Sequence, residues 1–319
     1  MNHKKSAHTK VKQLSCCVAV VISLISIAPF LSAATATQSH FDTAEQAANT
    51  MVEALAQHDE AKLRGLFGEH YSQIIPENLD ASDIKRFVAA WEYSHELVPQ
   101  DSAALTPEGE QSRTLIVGKY KWALPIPIAK GNDGWYFDTE AGLDNIRIRQ
   151  IGTHELHVIQ SMLAYHRAQM EYSRSDFDGN GVLEYAQKLI SSPGQKNGLY
   201  WVTESGEKFS PLGSLFAKKT PEKAYHGYYY QILTGQGKHA EGGAYSYLVN
   251  DNMVQGFALI AWPAEYAKSG IMSFMINRDG VVFEADLGSN SKSASTTTLF
   301  NPDSDWTPVS SNYMQLIED

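Results

Sequence analysis

The sequence predicts an α+β protein of two domains behind an export leader, and three observations carry that reading. The amino terminus runs basic, then apolar, then small. Residues 37–142 open with apolar positions at helical spacing and pass into strand-like segments. Residues 143–319 set a long helical pattern ahead of glycine-bounded strands.

The leader comes first. Lys4, Lys5, Lys10 and Lys12 lie in a first dozen residues without an acidic group, and an apolar run from Cys16 to Leu31 follows. That order is the one a secretory signal needs, and Ser32-Ala33-Ala34 and Ala34-Thr35-Ala36 supply small-x-small cleavage patterns. Cleavage is expected after Ala34 or Ala36. The run is shorter than the roughly 20 residues that span a bilayer, and it contains Ser23, Ser26 and Pro29, so no stable membrane anchor is expected once it is cut. Both cysteines, Cys16 and Cys17, open the apolar run, whereas a lipid-anchored cysteine would follow it. The mature protein therefore has no thiol for a disulfide, a nucleophile or a metal. Of 26 basic and 36 acidic residues, the leader removes four basic ones, leaving 22 against 36 and a net formal charge of −14. Such a balance disfavours nucleic acid and anionic membrane surfaces as partners and suits a cation, a cationic partner or a neutral glycan.

In the first domain, Thr43-x-x-Gln46 is a capping-box pattern ahead of Ala44, Ala47, Ala48, Met51, Val52 and Leu55 at helical spacing. A second helix is expected over Asp59–Phe67, ending at Gly68. A third, from Ser82 to about Tyr93, should bury Ile84, Phe87, Val88 and Trp91. Strands are expected over Arg113–Gly118, Trp122–Lys130 and Trp135–Asp138, with Pro125 and Pro127 making the middle one an edge or irregular. The plan is similar to the cone-shaped, nuclear-transport-factor-like fold. In the second domain a helix from about Leu143 to Tyr172, with Gly152 a possible break, joins the halves. A loop and a short helix over Glu184–Ile190 should follow, then strands over Gly227–Thr234, Gly256–Trp262, Gly270–Asn277 and Val281–Asp286.

Several segments carry a family resemblance. They include Gly134-Trp135-Tyr136-Phe137-Asp138, Gln169-x-Glu171-Tyr172, Asp178-Gly179-Asn180-Gly181, Gly198-Leu199-Tyr200-Trp201, Tyr225-His226-Gly227-Tyr228-Tyr229 and Trp262-Pro263-Ala264-Glu265-Tyr266. On these the chain resembles the bacterial exported proteins grouped as domain of unknown function 2950. The resemblance covers nearly all of the mature chain and implies export; it brings no activity and no catalytic residues. The second half is more distantly similar to pilin-like and pseudopilin-like domains. Its long helix is internal and amphipathic, so filament assembly is not implied.

Asp176-Phe177-Asp178-Gly179-Asn180-Gly181-Val182-Leu183-Glu184 is the sharpest local motif. An EF-hand-type loop needs oxygen ligands at positions one, three and five, a glycine at six, a carbonyl at seven and an apolar residue at eight. Asp176, Asp178, Asn180, Gly181, Val182 and Leu183 meet those needs. Gln187 stands at position twelve where a bidentate glutamate belongs, and Glu184 at position nine is the substitute carboxylate. The expected cofactor is thus weakly bound calcium, against the plainer reading of an Asp/Asn/Gly turn. His154, Glu155 and His157, with His166 further on, are not in His-Glu-x-x-His spacing and point to interhelical or surface roles before zinc. Tyr228, Trp262 and Tyr266, with His226 and Glu265, form an aromatic group suited either to sheet packing or to a glycan or peptide. No nucleophile elbow or phosphate-binding glycine loop is present. The sequence therefore points to an envelope protein that binds or scaffolds an unidentified envelope ligand or protein; the alternative is a hydrolase of an envelope polymer, its site in the cavity of the first domain or beside His226 and Glu265.

Overall fold

The computed structural model describes residues 38–77, 79–99, 111–203, 208–213 and 224–310. The leader, its cleavage positions at Ala34 and Ala36, and both cysteines lie outside the described residues. The protein is α+β, with helices and several antiparallel sheets in two roughly separable regions.

The first region begins with α1 (Ala44–Ala56). Thr43 caps it, its hydroxyl accepting from the Gln46 amide at 3.1 Å, while the Gln46 side chain reaches back to the Asp42 amide. Asp59 caps α2 (Glu60–Phe67) and Gly68 closes it at φ 55°. A short 3-10 turn, Gly68–His70, leads into α3 (Tyr71–Ile74), and α4 (Ala81–Tyr93) follows with Asp80 as its cap. The sheet comprises β1 (His95–Pro99), β2 (Ser112–Val117), β3 (Trp122–Ala123), β4 (Ile128–Gly131) and β5 (Gly134–Phe137), ordered β1-β2-β4-β5 with β3 also paired to β2. Every pairing is antiparallel. The expected strand over Trp122–Lys130 is interrupted where Pro125 and Pro127 fall, leaving β3 and β4 as separate pieces.

One expectation for this region needs correction. α4 forms where its periodicity placed it, but none of its residues is fully buried; Ile84, Phe87, Val88 and Trp91 are only half-covered. Periodicity shows which face of a helix is apolar, not how closely its neighbours approach.

The chain then enters α5 (Thr139–Tyr172), 34 residues long and uninterrupted at Gly152. At 1.5 Å per residue it runs about 50 Å. It starts before the expected Leu143 because the Asp138 carboxylate caps it, accepting from the Ala141 amide at 3.0 Å. Its first turns dock on the proline-interrupted segment. Asn145 donates to the Pro125 carbonyl at 2.9 Å and Arg149 to the Ala123 carbonyl at 2.7 Å. Its later turns bury Val158, Ile159, Met162, Tyr165 and Ala168 in the second region.

That second region is built on β6 (Tyr228–Leu233), β11 (Ala258–Pro263), β12 (Met272–Asn277), β13 (Val282–Asp286) and β15 (Thr307–Pro308), in antiparallel order β15-β13-β12-β11-β6. Every residue of β11 is buried, so both sheet faces are covered there. α5 packs on β12 and β13, and a 3-10 segment, Gly288–Thr296, packs on β11. Smaller pieces flank it. β7 (Gly235–Gln236) pairs with β8 (Tyr245–Ser246) and in parallel with β14 (Leu299–Phe300), and β9 (Leu248–Val249) pairs with β10 (Asn252–Met253). Among the described residues no helix is long and apolar enough to cross a membrane.

The helix expected over Glu184–Ile190 does not form. Its backbone groups bond to distant partners instead. The Gln169 side chain donates to the Ala186 carbonyl and accepts from the Ala186 amide, both at 2.8 Å. The Tyr185 amide donates to the Met253 carbonyl, and the Leu199 and Tyr200 amides to the carbonyls of Lys188 and Leu189. An intrahelical ladder would require those same groups.

Two glycines of α5 make opposite predictions. A Cβ at Gly152 would meet nothing within 4 Å, whereas at Gly142 it would lie 2.9 Å from a buried branch of Ile126. Gly152→Ala should therefore stabilise the protein by about 0.5–1 kcal/mol, and Gly142→Ala should destabilise it by about 1–3 kcal/mol through overpacking. Urea denaturation of the two variants checks both signs.

Candidate functional site

At the carboxyl end of α5 the chain turns through Ser173 into the Asp176 loop. Asp176 folds the loop around itself. One carboxylate oxygen accepts from Gly179 and Asn180 at 2.8 and 3.1 Å, and the other from Gly181 at 2.9 Å. These bonds, that from Gly181 foremost, hold the Asp176 carboxyl below the ordinary aspartate range. Gly179 and Gly181 sit at φ 77° and 84°, conformations that side-chain-bearing residues rarely adopt.

The remaining loop oxygens converge on one point. The Asn180 side-chain nitrogen lies 2.6 Å from a Glu184 oxygen and 3.3 Å from both an Asp178 oxygen and the Asn252 side-chain oxygen. Glu184 is buried, and its second oxygen accepts from the Met253 amide at 3.0 Å. Asn180 Oδ1 accepts from the Val182 amide at 2.7 Å. A polar cavity of about 280 Å³ adjoins this cluster and reaches Tyr172. Burial, followed by the negative charge of Asp178, Glu184 and Asp176, pushes the Tyr172 phenol upward. Gln187, at the expected twelfth position, donates to the Asp251 carbonyl at 2.6 Å. Among the described residues no group of three or more His, Cys, Asp or Glu is placed to hold a metal.

The histidines of α5 do not converge. His154 bonds the Ser269 carbonyl and His166 the Arg278 carbonyl, each at 2.9 Å. His157 instead packs its ring 4.3 Å from that of His226, which lies 4.0 Å from the ring of Tyr225. His157 Nδ1 is buried without a hydrogen bond among the described residues. Glu155, which sequence reasoning passed over as a spacer, accepts the Ile271 and Met272 amides at 2.9 Å each and ties α5 to the start of β12.

The aromatic group is likewise divided among separate duties. Tyr228 is fully buried, its hydroxyl donating to the Met272 carbonyl at 2.8 Å, and it faces the core. Trp262 is buried beside Tyr229. Tyr266 donates to Asp286 at 3.2 Å. Glu265 is exposed and paired with Lys268 at 2.9 Å, a hydrogen bond that lowers its pKa.

A third feature lies in the first region. A cavity of about 680 Å³ opens beneath α4, lined almost wholly by apolar side chains.

These contacts define an α+β protein whose conspicuous polar side chains brace its fold and whose larger hollow is apolar. The chain belongs to the family described as "Protein of unknown function (DUF2950)", which matches residues 38–309. No curated protein and no solved structure matches it.

Glu155 supplies the prediction here. Replacing it with alanine leaves two amides without their charged acceptor and should cost about 1–3 kcal/mol. Glu155→Gln, which retains a carbonyl oxygen, should recover part of that loss in urea denaturation.

Proposed function

We propose that the protein is exported to the cell envelope and acts there by non-covalent binding or scaffolding, with the Asp176 loop as a weak calcium-binding brace. One observation carries the non-covalent reading: the side chains best suited to acid–base work are engaged in holding backbone or each other. Glu155 holds two amides, His154 and His166 each hold a carbonyl, and Glu265 pairs with Lys268. Export is supported by the leader pattern and by a family match that begins at residue 38, directly beyond Ala36.

Calcium is supported by the surroundings of the Asn180 amide. Its nitrogen has two hydrogens for three oxygens, from Asp178, Glu184 and Asn252. A cation there would draw on Asp176, Asp178, Asn180, the Val182 carbonyl and Glu184, with Asn252 helping where Gln187 cannot. The nuclear-transport-factor-like plan for residues 37–142 and the pilin-like plan for residues 143–319 belong to the same proposal, α5 being the shared member. The partner would be an envelope ligand or protein and not nucleic acid.

A hydrolase of an envelope polymer is the second reading. It is favoured by the buried His157 nitrogen beside the His226 ring.

Two measurements on protein from Thr37 onward test these readings. Millimolar calcium should raise Tm relative to chelator, and the Asp178→Asn plus Glu184→Gln variant should lose that rise; an unshifted wild-type Tm would sink the brace. Incubation with purified peptidoglycan should release no soluble fragments above background. Release that disappears in His226→Ala at unchanged Tm would establish the hydrolase instead.

A further inference from the structure

We infer that the cavity beneath α4 is a binding site for a single-chain amphiphile of the acyl type, with its hydrocarbon inside and an anionic head at the mouth. This deepens the non-covalent reading above and rests on it.

The first observation is the state of α4. A 13-residue helix presents Ile84, Phe87, Val88 and Trp91 on one face, yet none of its residues is fully buried. Apolar surface half-removed from water is a poor resting state at roughly 25 cal/mol per Å². The helix is nevertheless seated at its far end. Ala90 approaches the sheet where Gly118 has no side chain, a Cβ there falling 3.1 Å from that of Ala90, and the Phe87 ring meets Trp122 edge-on at 6.1 Å. The hollow lies beside that seat, and Phe87, Ala90 and Trp122 line it too.

The second observation is its chemistry. The cavity, about 680 Å³, lies within the roughly 300–1,000 Å³ typical of small-molecule sites. Its floor is the packed core itself, with Met51, Phe67, Val117 and Ile126 all buried. Ile75, Leu79, Ile84 and Ile146 form its walls. No floor or wall side chain carries a hydrogen-bonding group, so the part of a ligand that enters can carry none either. The aliphatic character of the walls suits a hydrocarbon chain.

The third observation is the mouth. Asp83 and Arg86 are the charged residues of the lining; Arg86 is exposed, Asp83 is half-buried, and they pair with each other. Trp122, 47% exposed, borders the same opening, with the Arg149 guanidinium 5.9 Å from its ring. One arginine, Arg86, thus lines the mouth of an apolar hole, with Arg149 near it across the Trp122 ring, in a chain whose acidic residues outnumber its basic ones, 36 to 26. A carboxylate or phosphate head would find its counter-ion there, and Arg86 would exchange Asp83 for it.

The experiment uses protein from Thr37 onward, delipidated on hydrophobic resin, with hexadecanoate, hexadecanol, butyrate and phosphatidylglycerol vesicles as probes. Calorimetry should find one hexadecanoate per chain, no butyrate binding and no uptake from vesicles; vesicle binding without hexadecanoate binding would replace a single chain by a membrane surface and overturn the proposal. Filling the cavity with Ile84→Trp or Ile146→Trp should weaken hexadecanoate by about tenfold or more at an equal or higher Tm. Arg86→Gln should weaken hexadecanoate about threefold and leave hexadecanol unchanged. A bromine-bearing hexadecanoate should quench tryptophan fluorescence less in Trp122→Phe than in wild type, a readout independent of the filling variants. Absent hexadecanoate binding, or quenching identical in Trp122→Phe, overturns this inference and leaves the non-covalent reading standing. Turnover of a hexadecanoyl ester would do the reverse.

Discussion

The structure depends on one continuous helix that belongs to both regions. α5 makes no core of its own. Its first turns seal the gap that Pro125 and Pro127 open in the first sheet, with Asn145 and Arg149 taking up the carbonyls of Pro125 and Ala123. Its later turns are the apolar lid on β12 and β13. Around the Arg149 contact Arg147, Ile148, Arg149 and Gln150 are exposed, so apart from the reach of Arg149 to Ala123 the helix there is held by its own hydrogen bonds. The sheet of the second region is tied to the body of α5, and the Asp176 loop follows from its end.

Polar side chains do much of this fastening. Glu155, His154, His166 and Gln169 project from two stretches of α5 about three turns apart, and each meets main-chain groups of another segment. Gln169 acts as a surrogate peptide, bonding Ala186 in both directions from a fully buried site. A buried amide that meets both of its obligations specifies a partner in a way that a leucine cannot. The same engagement occupies the side chains of Glu155, His154 and His166 with main-chain partners.

Local rules were legible in the sequence wherever partners are close along the chain. Thr43 and Gln46 announced α1, Asp59 and Gly68 bounded α2, and four strands of the second region lie within a few residues of their expected limits. Distant partners were not. β1 escaped because its residues are mostly exposed and it is defined by pairing with β2 across residues 100–110. Glu184–Ile190 read as helical because its hydrogen bonds go to Gln169, Met253 and residues 199–200, none of which a local window contains. The candidate site divides in the same way. Asp176, Asp178 and Asn180 could be read from spacing alone, whereas Asn252 joins them from the far side of the fold. A cavity in the first domain was expected, but its place beneath α4 and its lining were hidden for a related reason, since a hydrophobic pattern records a preference for burial and not the distance to whatever provides it.

The exposed stretch of α5 also sets a rule for how this chain can vary in length. A helix advances about 100° and 1.5 Å with each residue. One residue inserted between Arg147 and Gln150 would rotate the second region by more than a quarter-turn against the first, carrying the loop and the apolar hollow out of their mutual phase. Seven residues would restore the orientation to within about 20° while separating the regions by about 10 Å. The angular relation between the two regions is thus written as a residue count, a form of geometric memory carried along the helix itself.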